Sequence, residues 1–92
     1  MCLHIVSRSS FESTALAECL QVFQSDDALL LTGSGVLSIG DASLQLPATC
    51  WVLAEDFELR FGGQAEASSF RLVDYSGWID LCIQHGQTLS WY

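Results

Sequence analysis

The sequence predicts an α/β fold: a small three-layer sandwich of about four parallel strands with helices on both faces. Three observations lead there. Short apolar runs, Leu3-His4-Ile5-Val6, Ala28-Leu29-Leu30-Leu31, Cys50-Trp51-Val52-Leu53 and Phe70-Arg71-Leu72-Val73, are bounded by turn residues, as strands buried on both faces are. Segments with helical apolar spacing lie between them, and that alternation favours a parallel sheet with right-handed crossovers. The chain has 92 residues, enough for one small core and a single domain over 1–92, and too few for a separate cofactor domain.

After the first strand, Ser9 and Glu12 have the S-x-x-E spacing of a capping box, so the first helix is expected to start there. Phe11, Ala15, Leu16, Cys19, Leu20 and Phe23 continue it at helical spacing, to an end near Gln24 or Ser25. The second strand covers 28–32, and Gly33-Ser34-Gly35 breaks it. Val36-Leu37-Ser38-Ile39 fits a short helix and an extended segment equally well; 40–47 reads as a loop. Beyond the third strand, a short helix over 55–61 has Glu55 and Asp56 at its start and Arg60 near its end, which suits the helix dipole. Gly62-Gly63 stops it. Asp74 is a good N-cap for a last helix with Tyr75, Trp78, Ile79 and Cys82 on one stripe. His85 and Gly86 close that helix, and 88–92 form a short tail.

Charge excludes several functions. Eleven acidic residues face three basic ones, the net charge is −8, and no lysine occurs. Arg8, Arg60 and Arg71 are scattered. Direct nucleic-acid binding needs several cations on one face, and an anionic membrane surface makes the same demand. Charged residues make up 15% of the chain and hydrophobic ones 50%, against roughly 25% charged in an average soluble domain. Exposed apolar patches, and therefore protein partners, are expected. The longest apolar run, Ala28-Leu29-Leu30-Leu31, falls far short of the ~20 residues of a membrane helix. The start of the chain lacks the basic-then-apolar pattern of a signal peptide. A cytoplasmic location is expected.

Chemistry-bearing motifs are few. Cys2, Cys19, Cys50 and Cys82 contain no C-x-x-C pair and no paired His, so neither a metal site nor a disulfide framework is expected. No cofactor is expected either: Gly33-Ser34-Gly35 lacks the third glycine of a dinucleotide loop, Ser38 standing there, and a P-loop lysine is missing. That segment reads as a turn. His4 and His85 have no Cys or carboxylate partner at catalytic spacing; the helix dipole accounts for His85.

Five blocks occur in an informative order: Leu3-His4-Ile5-Val6-Ser7-Arg8-Ser9; Gly35-Val36-Leu37; Leu53-Ala54-Glu55-Asp56 with Arg60 and Gly62; Asp74-Tyr75-Ser76-Gly77-Trp78-Ile79-Asp80-Leu81; and Ser90-Trp91. Over essentially its full length the chain resembles the DsrH/TusB family. The resemblance departs at Ser10, where the family often has Pro, at Ser34, where it usually has Asp, and after Ile39, where this chain looks short. It implies a DsrE/F/H-like fold. It also implies a non-catalytic subunit of a TusBCD-like sulfur relay, with TusC-like and TusD-like partners in a dimer of heterotrimers. That relay passes persulfide sulfur toward 2-thiouridine at the tRNA wobble position. In such an assembly the persulfide cysteine lies on the TusD-like chain.

Cys19 opens an alternative. It falls where DsrH-type chains carry a cysteine in the first helix, so the resemblance makes it the candidate persulfide thiol of a DsrEFH-type sulfurtransferase in sulfur oxidation. The residues themselves favour an inert thiol, since Cys19 sits mid-helix on the apolar stripe beside Glu18. Cys50 and Cys82 read as core. Tyr75, Trp78, Trp91 and Tyr92 are the candidate interface residues, because Trp and Tyr concentrate at interface centres and the terminal pair is hard to bury in so small a domain. An isolated subunit would have the means to self-associate through a surface meant for partners. A third reading is an unrelated small α/β interaction module.

Overall fold

The computed structural model describes residues 2–11, 13–40, 46–47, 49–61 and 71–91. Five short strands form the sheet: β1 Leu3–Val6, β2 Ala28–Leu31, β3 Cys50–Leu53, β4 Arg71–Val73 and β5 Thr88–Trp91. Between them run α1 Ala15–Val22, a 3-10 helix Gly33–Gly40, α2 Ala54–Phe61 and α3 Tyr75–His85. The sheet order is β4-β3-β2-β1-β5, and every pair is parallel. The α/β sandwich expected from the alternation is thus present, with one strand more than anticipated.

Strand order and crossover handedness explain the layers. From β1 to β4 the chain steps across the sheet in one direction, so right-handed crossovers lay α1, the 3-10 helix and α2 on one face. The core on that face joins Leu16, Cys19, Val36 and Phe57 to Val6, Leu29, Leu31, Cys50 and Val52. From β4 the chain returns past β1 to β5. The reversed step lays α3 on the opposite face, where Leu81, Trp78 and Cys82 meet Leu3, Ile5, Ala28, Leu30, Trp51 and Val73. Successive strand residues alternate between the two cores. β2, in the middle, is buried at all four positions, each leucine contributing about 1.5–3 kcal/mol of burial.

β5 is the element the sequence reading misses. Thr88, Leu89, Ser90 and Trp91 pair with Leu3, His4, Ile5 and Val6. Their alternation of polar and apolar side chains is a half-exposed edge strand's pattern, but four residues after a capped helix make too short a run to separate from a tail. The edge position keeps Thr88, Leu89 and Ser90 exposed, while Trp91 is half-buried and packs against the α1-side core.

The first helix begins later than the capping-box spacing suggests. The Ser9 hydroxyl accepts the Phe11 amide at 3.1 Å, a local turn that competes with helix capping. The Ser10 amide donates to Ser38 Oγ at 3.0 Å, which holds the chain against the 3-10 helix. Ser10 and Phe11 form a turn, and α1 starts at Ala15. Glu12, the other half of the expected box, lies outside the described residues, as do Gly62-Gly63, Phe70, Tyr92 and most of 40–47.

The 3-10 helix resolves the segment that fitted two conformations. Its start passes so close to β1 that a Cβ on Gly35 would stand 2.4 Å from the Val6 carbonyl oxygen. Glycine is required there for contact, not for phosphate. The last helix forms as its caps dictate. Asp74 accepts the Gly77 amide at 2.8 Å. Gly86 takes the left-handed conformation at φ 71° and donates to the Cys82 carbonyl, the usual αL stop.

Candidate functional site: buried thiols and a polar pin beside them

Sulfur chemistry needs an accessible thiolate, so the four thiols come first. All four cysteines are free. Cys19 projects from the middle of α1 into the core and is fully buried. Burial, and secondarily the nearby Cys2 and Asp27 as negative neighbours, pushes its thiol up to about 12. Cys50 is buried on β3 and burial pushes it to about 12 as well. Cys2 is half-buried, and burial followed by the charge of Asp27 raises it too. Cys82 is half-buried against the α3-side core.

Beside Cys2 and Cys19 lies a buried polar group that no spacing in the sequence reveals. His4 Nε2 is 2.8 Å from Asp27 Oδ2, and Trp91 Nε1 is 3.1 Å from His4 Nδ1. An indole N–H only donates. Nδ1 must therefore accept, and the ring proton sits on Nε2 and is donated to Asp27. The same carboxylate accepts the Cys2 amide at 2.9 Å and the Gln24 amide at 2.9 Å. Burial drives its carboxyl upward. The Gln24, His4 and Cys2 hydrogen bonds, with the attraction of His4, outweigh that and hold it below the usual carboxylate range. The Phe23 ring closes over His4, centroids 5.2 Å apart.

His4 therefore has the carboxylate partner that sequence spacing withheld. Parallel pairing supplies it: Leu3 stands opposite Ala28, so the residue before β2 falls beside β1. The group does not resemble a catalytic dyad. Both ring nitrogens are occupied, so the imidazole has no lone pair with which to deprotonate a thiol. Its geometry is that of a pin joining β1, β2 and β5.

The three candidate interface residues that are described, Tyr75, Trp78 and Trp91, do not form one cluster. Tyr75 and Trp78 stack on α3, centroids 6.0 Å apart, with Tyr75 exposed and Trp78 half-buried. Trp91 belongs to the opposite face, in the pin. Tyr92 lies outside the described residues. Among the described residues, no group of three or more His, Cys, Asp or Glu side chains could hold a metal ion. No helix there is long and apolar enough to cross a membrane.

A model of the DsrH-like protein family matches residues 8–88. The chain belongs to the DsrH family. Within the family it is similar to a protein called TusB from Pectobacterium parmentieri, 30% identical and aligned over 97% of this chain and 99% of that one. A second protein called TusB, from Buchnera aphidicola subsp. Baizongia pistaciae (strain Bp), is 27% identical over the same shares of the two chains. Family membership agrees with the five motif blocks. Gly35 closes against β1, Asp74 caps α3, and Ser90-Trp91 belongs to β5. Each of these residues serves a folding contact.

Proposed function

We propose that this chain is a non-catalytic subunit of a cytoplasmic TusBCD-like sulfur relay. It docks onto TusC-like and TusD-like chains in a dimer of heterotrimers, which passes persulfide sulfur toward 2-thiouridine at the tRNA wobble position. The observation that carries this is the state of Cys19: fully buried, with its thiol pushed up to about 12. A thiol in that state is neutral at physiological pH and out of reach of a donor. The likeness to TusB proteins over the whole length supports the same reading. The net charge of −8 fits a subunit that leaves tRNA contact to other components.

The DsrH-type alternative asks Cys19 itself to accept sulfur, which would require α1 to lift off the sheet. Intact-mass measurement of the reduced native chain after exposure to a low-molecular-weight persulfide decides between the two. The expected result is no labile sulfur on Cys19. A labile extra sulfur mapped to Cys19, and lost in Cys19→Ala, would overturn the scaffold reading and make the chain a carrier.

A further inference from the structure

Among the described residues α3 is the one helix on its face of the sheet, and it carries more apolar surface than the sheet takes up. Trp78, Leu81 and Cys82 pack inward. Tyr75, Ile79 and Ile83 follow one another at four-residue spacing and remain 50%, 62% and 74% exposed. With about 100° per residue, the arc from Leu81 round to Ile83 is apolar save for His85 in the last turn and covers about 200°, twice the roughly 100° that a helix on one surface uses. Ser76, Asp80 and Gln84 fill the remaining polar arc. The stacking of Tyr75 on Trp78 makes the open flank continuous with the core beneath it.

We propose that the flank of α3 formed by Tyr75, Ile79 and Ile83 docks a different chain, whose apolar face is edged by Lys or Arg. This rests on the subunit reading above and assigns the surface through which it works. Charge selects the occupant. The flank is bordered by the exposed carboxylates Asp74 and Asp80, on a chain of net charge −8 without lysine. Arg71, on the same side of the sheet, lies over the Trp51 ring. A second copy would bring a further −8 and the same acidic border, and like charges brought together across an interface cost several kcal/mol. Area points the same way. Three side chains supply much less than the roughly 800 Å² per partner of a stable interface, so the border must take part, and its sign then decides the partner.

The test co-expresses the chain with TusC-like and TusD-like subunits, follows assembly by light scattering, and measures amide hydrogen exchange over 75–83. The expected result is a complex in which this segment is protected. Ile79→Glu with Ile83→Glu should weaken assembly by about tenfold or more, as for anchors at an interface centre, with the circular-dichroism spectrum unchanged. Asp80→Lys should weaken it too, and Gln84→Glu should leave it intact. A complex that forms with α3 exchanging as in the free chain, or equally well with the double variant, overturns this inference and leaves the relay reading standing. A wild-type homodimer abolished by the double variant overturns it in favour of a second copy. Failure of the wild-type chain to assemble with either subunit overturns both. Should the double variant not fold, wild-type exchange decides.

Discussion

Cys19 shows how its surroundings set the state of a thiol. The thiol belongs to the same buried cluster as Leu16, Val36 and Val52, and burial is the first cause of its raised value. A group whose folded pKa is raised contributes stability that is fully present below its unfolded pKa and is lost as pH rises toward the folded value. In native protein at about pH 8, Cys19 and Cys50 should resist iodoacetamide and react promptly once urea unfolds the chain. Equal rates in the two states would show that α1 opens freely. Replacement also carries a cost. Cys19→Ser buries a hydroxyl in an apolar site, at about 1–3 kcal/mol in a urea titration, whereas Cys19→Ala removes the sulfur without adding a polar group.

At the scale of elements, two contacts hold pieces together that the chain itself keeps apart. Gly35 lets the 3-10 helix lie on β1. A methyl group there meets the backbone oxygen of Val6, which cannot rotate away, so Gly35→Ala should lose about 1–3 kcal/mol of stability to overpacking. A urea midpoint equal to wild type would contradict the close approach. Trp91 fastens β5. Trp91→Phe retains an aromatic ring but leaves His4 Nδ1 without its donor, and should cost about 1–3 kcal/mol. Its destabilisation should vanish in a His4→Phe background if the hydrogen bond is the cause; equal losses in both backgrounds would assign it to packing. Elements with strong local signals were legible in the sequence: apolar runs for β1, β2 and β3, and two caps for α3. α1 began late because the Ser9 hydroxyl accepts the Phe11 amide in a local turn, and the Ser10 amide donates to Ser38 Oγ, a partner that only the fold supplies. β5 escaped because an edge strand buries too little to need a long apolar run. The pin of His4, Asp27 and Trp91 was illegible for a related reason: its members meet only when three strands lie side by side.

For the whole molecule, the pin makes stability depend on acid. Asp27 has a folded value below the usual carboxylate range. The stability it contributes is present above the unfolded value of about 4 and is lost as pH falls through the lower, folded one. Urea midpoints should be steady near neutrality and fall below about pH 4. In Asp27→Asn the starting stability should be lower and the acid-induced fall shallower. An unchanged acid slope in that variant would place the sensitive carboxylate elsewhere. Loss of the pin should loosen β1, β2 and β5 together, since Asp27 also holds the amides of Cys2 and Gln24.

The pairing of β1 with β5 has a consequence for synthesis. His4 and Trp91, bonded to each other, are 87 positions apart, and β5 is translated after every other strand. A nascent chain therefore carries β1 with one edge bare until β5 has been made. A bare parallel edge is a template for the wrong partner, and contacts of such long range form slowly. Nascent chains of this protein should need chaperone cover, or early capture by another subunit, until residues 88–91 are free to pair with β1 and the edge at β1 is replaced by that of β5.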